Sequence, residues 1–166
     1  MVTWTSVEEE LLSLAGSVPD PELPVLTLED LGVVRGVEVH APDHVTVRLT
    51  PTYTGCPAIE AMSADIERVL HDHGVAEVAV ETVLSPAWST DDISTEGRRK
   101  LAEFGIAPPR PHDTASGGPV PLTLSVRCPH CGSTETQLLS RFSSTACKAL
   151  RRCVACQEPF DHFKEL

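Results

Sequence analysis

The stretch Arg48-Leu49-Thr50-Pro51-Thr52-Tyr53-Thr54-Gly55-Cys56-Pro57-Ala58-Ile59 decides the reading of this chain. It reads as the end of a strand, a tight loop and the start of a helix. Upstream, Val45, Val47 and Leu49 alternate with polar neighbours, the period of a half-buried strand. Pro51 and Gly55 punctuate the loop. Pro57 suits the first helical position, where its missing N–H costs nothing. Cys56 is therefore expected at or beside the helix N-cap, facing unpaired N–H groups and the positive end of the helix dipole. A thiol so placed tends toward thiolate, hence toward metal ligation or nucleophilic attack. A free cysteine is also often a small buried core residue. Position alone leaves both readings of Cys56 open.

Working outward, Ile59, Met62, Ile66, Val69 and Leu70 fall on one face at helical spacing, and Gly74 suits the stop. Met62 reads as core filler. Val75 to Leu84 is valine-rich and alternates with Glu77 and Glu81, so a strand follows the helix. Strand, helix, strand in series predicts a right-handed crossover and parallel pairing. On the other side, Val33 to Val39 is a strand, Ala41-Pro42-Asp43 a turn, and His44 to Thr50 the next strand, an antiparallel hairpin. The result is a small α+β domain with a mixed sheet. Its Cys56 loop lies at the C-terminal end of a strand, where open α/β sheets bind ligands. His40 and His44 flank the hairpin turn and read as solvent-facing.

Earlier, Ser6-Val7-Glu8-Glu9 carries a helix-start signature, with Val7, Leu11, Leu14 and Ala15 on one face. A first helix is expected over about Val7 to Ala15, stopped by Gly16. Pro19, Pro21 and Pro24 then forbid regular structure. That segment is expected to be extended, holding Asp20 and Glu22 in a fixed arrangement, and spacing alone favours a plain solvated connection. Thr27-Leu28-Glu29-Asp30 looks like a capped turn of helix ended by Gly32. Trp88 is one aromatic anchor in a loop, and Thr95 to Phe104 is a short helix.

From Ala107 to Pro121 the chain is proline-rich and carries Gly117-Gly118, the composition of a linker. Charge changes across it. Residues 1–121 hold 7 Lys/Arg against 20 Asp/Glu; residues 122–166 hold 6 against 4. Three segments are expected: a domain over 1–106, a linker over 107–121 and a module over 122–166. A formal charge of −11 and only 4% aromatic residues argue against a nucleic-acid or acidic-membrane binder. Met1 to Ser6 runs into acidic residues without a charged-then-apolar leader, and no apolar run is long enough to span a membrane. A cytoplasmic protein with reduced cysteines is the expectation.

The tail holds Cys128-Pro129-His130-Cys131-Gly132 and Cys153-Val154-Ala155-Cys156, with 21 residues between Cys131 and Cys153. Two Cys-x-x-Cys pairs at this separation match zinc-ribbon or rubredoxin-like knuckles, each putting two thiolates on a tight turn. Thr134 to Ser143 is expected to contribute strands between them. A module of about 45 residues is near the size at which a metal replaces a missing core. Cys128, Cys131, Cys153 and Cys156 are the expected ligands of zinc or iron. With four protein thiolates the site is closed and structural. Cys147 is left over, either a free second thiol beside Lys148 or merely buried.

Two motif sets carry a family resemblance. Asp20-Pro21-Glu22-Leu23-Pro24 with Thr54-Gly55-Cys56-Pro57 resembles the small iron–sulfur assembly domain of the SufT-like family. Gly132-Ser133, Ser144 to Leu150 and Glu158-Pro159-Phe160-Asp161-His162-Phe163-Lys164 resemble the ribbon of the PaaD family, part of the phenylacetate-degradation cluster. The resemblance implies maturation rather than turnover: assembly, delivery or repair of metal–sulfur centres of the multicomponent phenylacetyl-CoA monooxygenase, through its ferredoxin-type reductase. It implies Cys56 as the cluster-handling thiol, Asp20 and Glu22 as its neighbours, zinc on the ribbon cysteines and a transient iron–sulfur cluster as cargo. One thiol cannot hold a cluster alone, so a homodimer, a client complex or Cys147 is expected to complete the site. A cysteine-nucleophile enzyme would need an oriented histidine base near Cys56, which nothing in the sequence provides. A nucleic-acid-binding ribbon is disfavoured by the charge balance.

Overall fold

The structure is a computed structural model that describes residues 4–111 and 125–165. The chain divides into two compact units, Met1–Gly97 and Arg98–Leu166. The expected linker residues 112–121 lie outside the described residues.

In the first unit, α1 (Trp4–Gly16), α2 (Leu28–Leu31) and α3 (Ala58–Asp72) accompany β1 (Val34–Ala41), β2 (His44–Leu49) and β3 (Glu77–Thr82). The sheet order is β1-β2-β3. β1 and β2 form the expected antiparallel hairpin, and β2 and β3 pair in parallel across the α3 crossover, in register Val45↔Val78 and Val47↔Val80. The period-2 and helical-period residues meet in the core. Val45, Val47, Leu49, Ile66 and Leu70 are fully buried, Met62 and Leu11 nearly so. The other sheet face is polar: Arg48 pairs with Glu38, and His40 bonds Thr46 at 2.9 Å. One face buried and one wetted pins the register, because a one-residue slip would turn the valines out.

α1 begins at Trp4, three residues before the expected start. Ser6 therefore lies inside its first turn, not at the cap; first-turn N–H groups are unpaired in any case, so serine is tolerated there. α2 carries the expected capping box. Asp30 N–H donates to Thr27 Oγ1 at 3.1 Å, Thr27 N–H to Asp30 Oδ2 at 3.0 Å, and Gly32 follows with φ 69°. A Cβ at Gly32 would lie 2.4 Å from the Asp92 carbonyl oxygen, so only glycine fits. Trp88 is the expected anchor: it is buried and its indole N–H donates to the Leu31 carbonyl at 2.7 Å.

α4 (Thr95–Glu103) leads into the second unit, which contains β4 (Ile106–Ala107), β5 (Thr136–Ser140), β6 (Lys148–Cys153) and β7 (Pro159–Phe163). The order is β4-β7-β6-β5, with β4 parallel to β7 and the other pairs antiparallel. This unit takes in Arg98 to Ile106, which sequence composition alone places with the first domain, because Ile106 and Ala107 pair with Asp161 and His162. Around the cysteines lies a small buried cluster of Ala107, Cys128, Cys153 and Phe160, flanked by Val126 and Cys156, and Leu101, Ile106, Ala149 and Phe163 are buried in the same unit. Buried Lys148 reaches Asp161 at 3.3 Å and ties β6 to β7.

Candidate cluster-handling loop and metal centre

β2 ends at Leu49, and Thr50 N–H still donates to the Val33 carbonyl at 2.8 Å. Pro51 then takes the chain out of the sheet. Cys56 N–H returns to the Tyr53 carbonyl at 3.2 Å, closing a four-residue turn with Gly55 at φ 80° in its third position. That is the positive φ a type II turn demands. Pro57 is the N-cap of α3 rather than its first helical residue, and Cys56 sits one residue before it. The α3 start has no side-chain cap, so its N-terminal donors are left to other acceptors. Cys56 is 8% exposed. Cys56 is thus buried, and it lies one residue before a helix N-cap that makes no side-chain hydrogen bond.

Asp20 is not on a solvated connection; it is 5% exposed. Its Oδ1 accepts the N–H groups of Glu22 at 2.9 Å and Leu23 at 2.6 Å. A bridge between Pro19 and Thr27 closes the loop. Buried backbone donors need acceptors, and the Asp20 carboxylate serves two of them, so it shapes the turn. Glu22 is half-buried on it. This loop feeds α2 and the start of β1, and β1 is antiparallel to β2. The Asp20 loop and the Cys56 loop accordingly belong to the same end of the sheet. His40 and His44 flank the turn at the opposite end, about 16–20 Å away along a six-residue strand. They cannot serve as a base for Cys56.

In the second unit Cys128, Cys131, Cys153 and Cys156 converge, every Sγ within 4.8 Å of the others. The Cys128–Cys156 and Cys131–Cys153 sulfurs are 3.8 and 3.5 Å apart. A tetrahedron with metal–sulfur bonds of about 2.3 Å has edges of about 3.8 Å, and a disulfide would need about 2.05 Å. The donor set therefore fits a tetrahedral zinc or iron ion, which would cross-link the two knuckles. Gly132 takes φ 77° behind the first knuckle and Gln157 φ 66° behind the second. As free thiols the four compete for charge. The Cys156 N–H aimed at its sulfur pulls Cys153 down to about 7. The Glu158 N–H pulls Cys156 the same way, but burial and its three thiol neighbours push it up to about 12. A divalent cation displaces these protons together.

Cys147 is buried, with Thr145 Oγ1 3.1 Å from its sulfur. It is outside the four-sulfur cluster. Sequence reasoning misses the buried Lys148–Asp161 pair and the turn-shaping role of Asp20. Asp20 had a signal, since an aspartate before Pro-Glu-Leu is an Asx-turn former.

Comparison with known proteins agrees with this two-part architecture. Residues 8–84 match an iron–sulfur cluster assembly protein family, and residues 113–164 match the PaaD zinc beta ribbon domain. The chain is 46% identical over 155 residues to a putative 1,2-phenylacetyl-CoA epoxidase component of Escherichia coli (strain K12), covering 93% of this chain and 91% of that one. It is 35% identical over 99 residues to an Fe-S protein maturation auxiliary factor of Porphyromonas gingivalis (strain ATCC BAA-308 / W83), covering 59% of this chain and 93% of that one. A crystal structure of a domain of unknown function, DUF59, from Bacillus anthracis superposes with a TM-score of 0.54 at 28% identity, over 58% of this chain and 92% of that one. Among the described residues no helix is long and apolar enough to cross a membrane.

Proposed function

The chain belongs to the PaaD family, an iron–sulfur cluster assembly domain followed by a zinc β-ribbon, and from that premise we propose that it assembles, delivers or repairs the iron–sulfur centres of a phenylacetyl-CoA monooxygenase. The role is maturation in the cytoplasm, not turnover. The observation that carries it is the Cys56 turn: a thiol one residue before the N-cap of α3, beyond the C-terminal end of β2.

In this reading the cluster is cargo. Cys56 supplies one sulfur ligand, from the loop that leads into α3. Asp20 fixes the neighbouring loop, and Glu22 is the carboxylate that faces cargo or client. The remaining cluster ligands come from a second copy or from the client, with the ferredoxin-type reductase as the preferred client. Cys147, being buried, joins only if the ribbon loop opens. Zinc on Cys128, Cys131, Cys153 and Cys156 holds the ribbon together and does no chemistry of its own.

The test is anaerobic reconstitution with iron and sulfide, followed by transfer to the cluster-free reductase. Wild type is expected to restore the reductase's visible spectrum and electron transfer, and Cys56→Ala to fail while keeping its zinc. Equal transfer by the mutant removes Cys56 from the assigned role.

A further inference from the structure

The end of the first unit's sheet remote from Cys56 carries two histidines that none of the roles above uses. β1 and β2 meet there in a tight turn, with Ala41 paired to His44, and the register shift between Val39 and Ala41 falls on His40. The two imidazole centroids are 4.9 Å apart and their planes are inclined at 50°. Rings at that tilt are not stacked face to face.

Each ring has one nitrogen turned to an oxygen. His40 Nε2 lies 2.9 Å from Thr46 Oγ1, and Thr46 is itself buried. His44 Nδ1 faces Glu77 Oε2 at 3.9 Å, across the β2–β3 pair in which the two residues are direct partners. The opposite nitrogens, His40 Nδ1 and His44 Nε2, make no hydrogen bond or ion pair among the described residues. One nitrogen oriented by an oxygen and the other open is the ordinary arrangement of a metal-ligating histidine. The spacing also fits. Two imidazole nitrogens about 2.1 Å from one ion, at an angle of about 90–110°, place their ring centroids about 4.6–5.3 Å apart. Both histidines stand on strands whose register the buried valines pin, so the pair is held by a rigid support. Two imidazoles, a carboxylate beside them and positions open to water suit a late divalent transition-metal ion and not a hard cation.

We propose that His40 and His44 form a second metal site, each giving one ring nitrogen to a divalent ion such as zinc or nickel, with water completing the coordination. Two imidazoles bind far more weakly than four thiolates, so the site fills only when metal is added to the zinc-loaded protein. An ion there clips β1 to β2 across the turn and stabilises the first unit, because only the folded chain holds the pair together. The site involves neither Cys56 nor the four ribbon cysteines, so it stands or falls independently of cluster handling.

The experiment is calorimetric titration of the untagged, zinc-loaded full chain with Ni(II), Zn(II) and Mg(II). One saturable site per chain beyond the tetrad is expected for Ni(II) and Zn(II), and none for Mg(II). His40→Gln and His44→Gln should each weaken it about tenfold or more, because a chelating pair becomes a single ligand. His73→Gln, at the other exposed histidine–carboxylate pair, should leave it unchanged. Saturating Ni(II) should raise the urea midpoint of the first unit in wild type and not in His40→Gln or His44→Gln. Absence of a saturable site beyond the tetrad overturns the proposal. So does a site whose affinity survives either His40→Gln or His44→Gln, or one that His73→Gln abolishes.

Discussion

Arg35 and Asp92, 57 residues apart in sequence, meet at 3.0 Å, and the same guanidinium donates to Thr50 Oγ1 at 3.1 Å. Thr50 is the last residue before the loop that carries Cys56. Asp92 Oδ2 also accepts the Ser89 N–H at 3.0 Å. One side chain therefore fastens the root of the Cys56 loop to the segment that follows Trp88. The pair is only partly shielded, with Arg35 21% and Asp92 32% exposed. Arg35→Met should cost about 1–3 kcal/mol, the loss expected for a charge-assisted bond to a part-buried group. Urea-induced unfolding of the first unit is the measurement. The same mutant should slow cluster transfer, since the loop root loses its fixed point. Full stability with undiminished transfer would remove the clamp from the account.

Asp20 separates loop shaping from cargo contact. Its Oδ1 accepts two backbone N–H groups, and asparagine keeps an oxygen in that place without the charge. Asp20→Asn should stay within about 1 kcal/mol of wild type, whereas Asp20→Ala strands two donors and costs about 2–3 kcal/mol. Glu22→Gln should leave stability unchanged. If Asp20→Asn folds normally and Glu22→Gln alone lowers transfer, the loop presents Glu22 and Asp20 merely holds it. If Asp20→Asn abolishes transfer at normal stability, the buried carboxylate acts by its charge.

Acid should loosen the second unit through His162. Burial first, then the charge of Arg151, pushes its imidazole down to about 4, with Glu165 opposing and Arg110 reinforcing. The unfolded chain protonates this residue near 6.5. Between those values the unfolded state binds more protons than the folded state, so stability rises with pH. The contribution of neutral His162 is complete above about 6.5 and is lost as pH falls toward about 4. His162→Gln should flatten the pH dependence of ribbon unfolding in that window. The comparison is made between the two zinc-loaded proteins, because acid also protonates the thiolates in both. Parallel pH profiles for the two would show that His162 titrates as freely in the fold as outside it.

What can be read from the sequence follows from periodicity and from punctuation. Val45, Val47 and Leu49 at period 2, and Met62, Ile66 and Leu70 at helical spacing, determine the hairpin, the crossover and the face each buries. Thr27, Asp30 and Gly32 announce their own cap. The four ribbon cysteines announce their convergence by spacing alone. Asp20 carries a local cue, an aspartate in a turn-forming context, but its burial is set by the rest of the fold and leaves no mark in the local sequence. β4 is two residues long and has no period to detect; only its neighbour β7 makes it a strand. Proline content marks Ala107 as linker, yet Ala107 is buried in the ribbon core beside Cys128.

Metal removal should divide the molecule. The second unit has Cys128 and Cys153 inside a small buried cluster, and structural zinc binding of about 10–16 kcal/mol is folding free energy for such modules. The first unit has its own core of Val45, Val47, Ile66 and Leu70. A strong chelator, or Cys153→Ser, should therefore abolish the ribbon's unfolding transition and its dispersed amide signals while leaving the signals of residues in β1, β2 and α3 in place. Zinc should fall from one per chain to none. Cys147→Ser should keep one zinc per chain, because that sulfur stands outside the tetrad. Zinc loss in Cys147→Ser would place the fifth cysteine among the ligands. Loss of the first unit's signals on chelation would mean that the two cores fold as one.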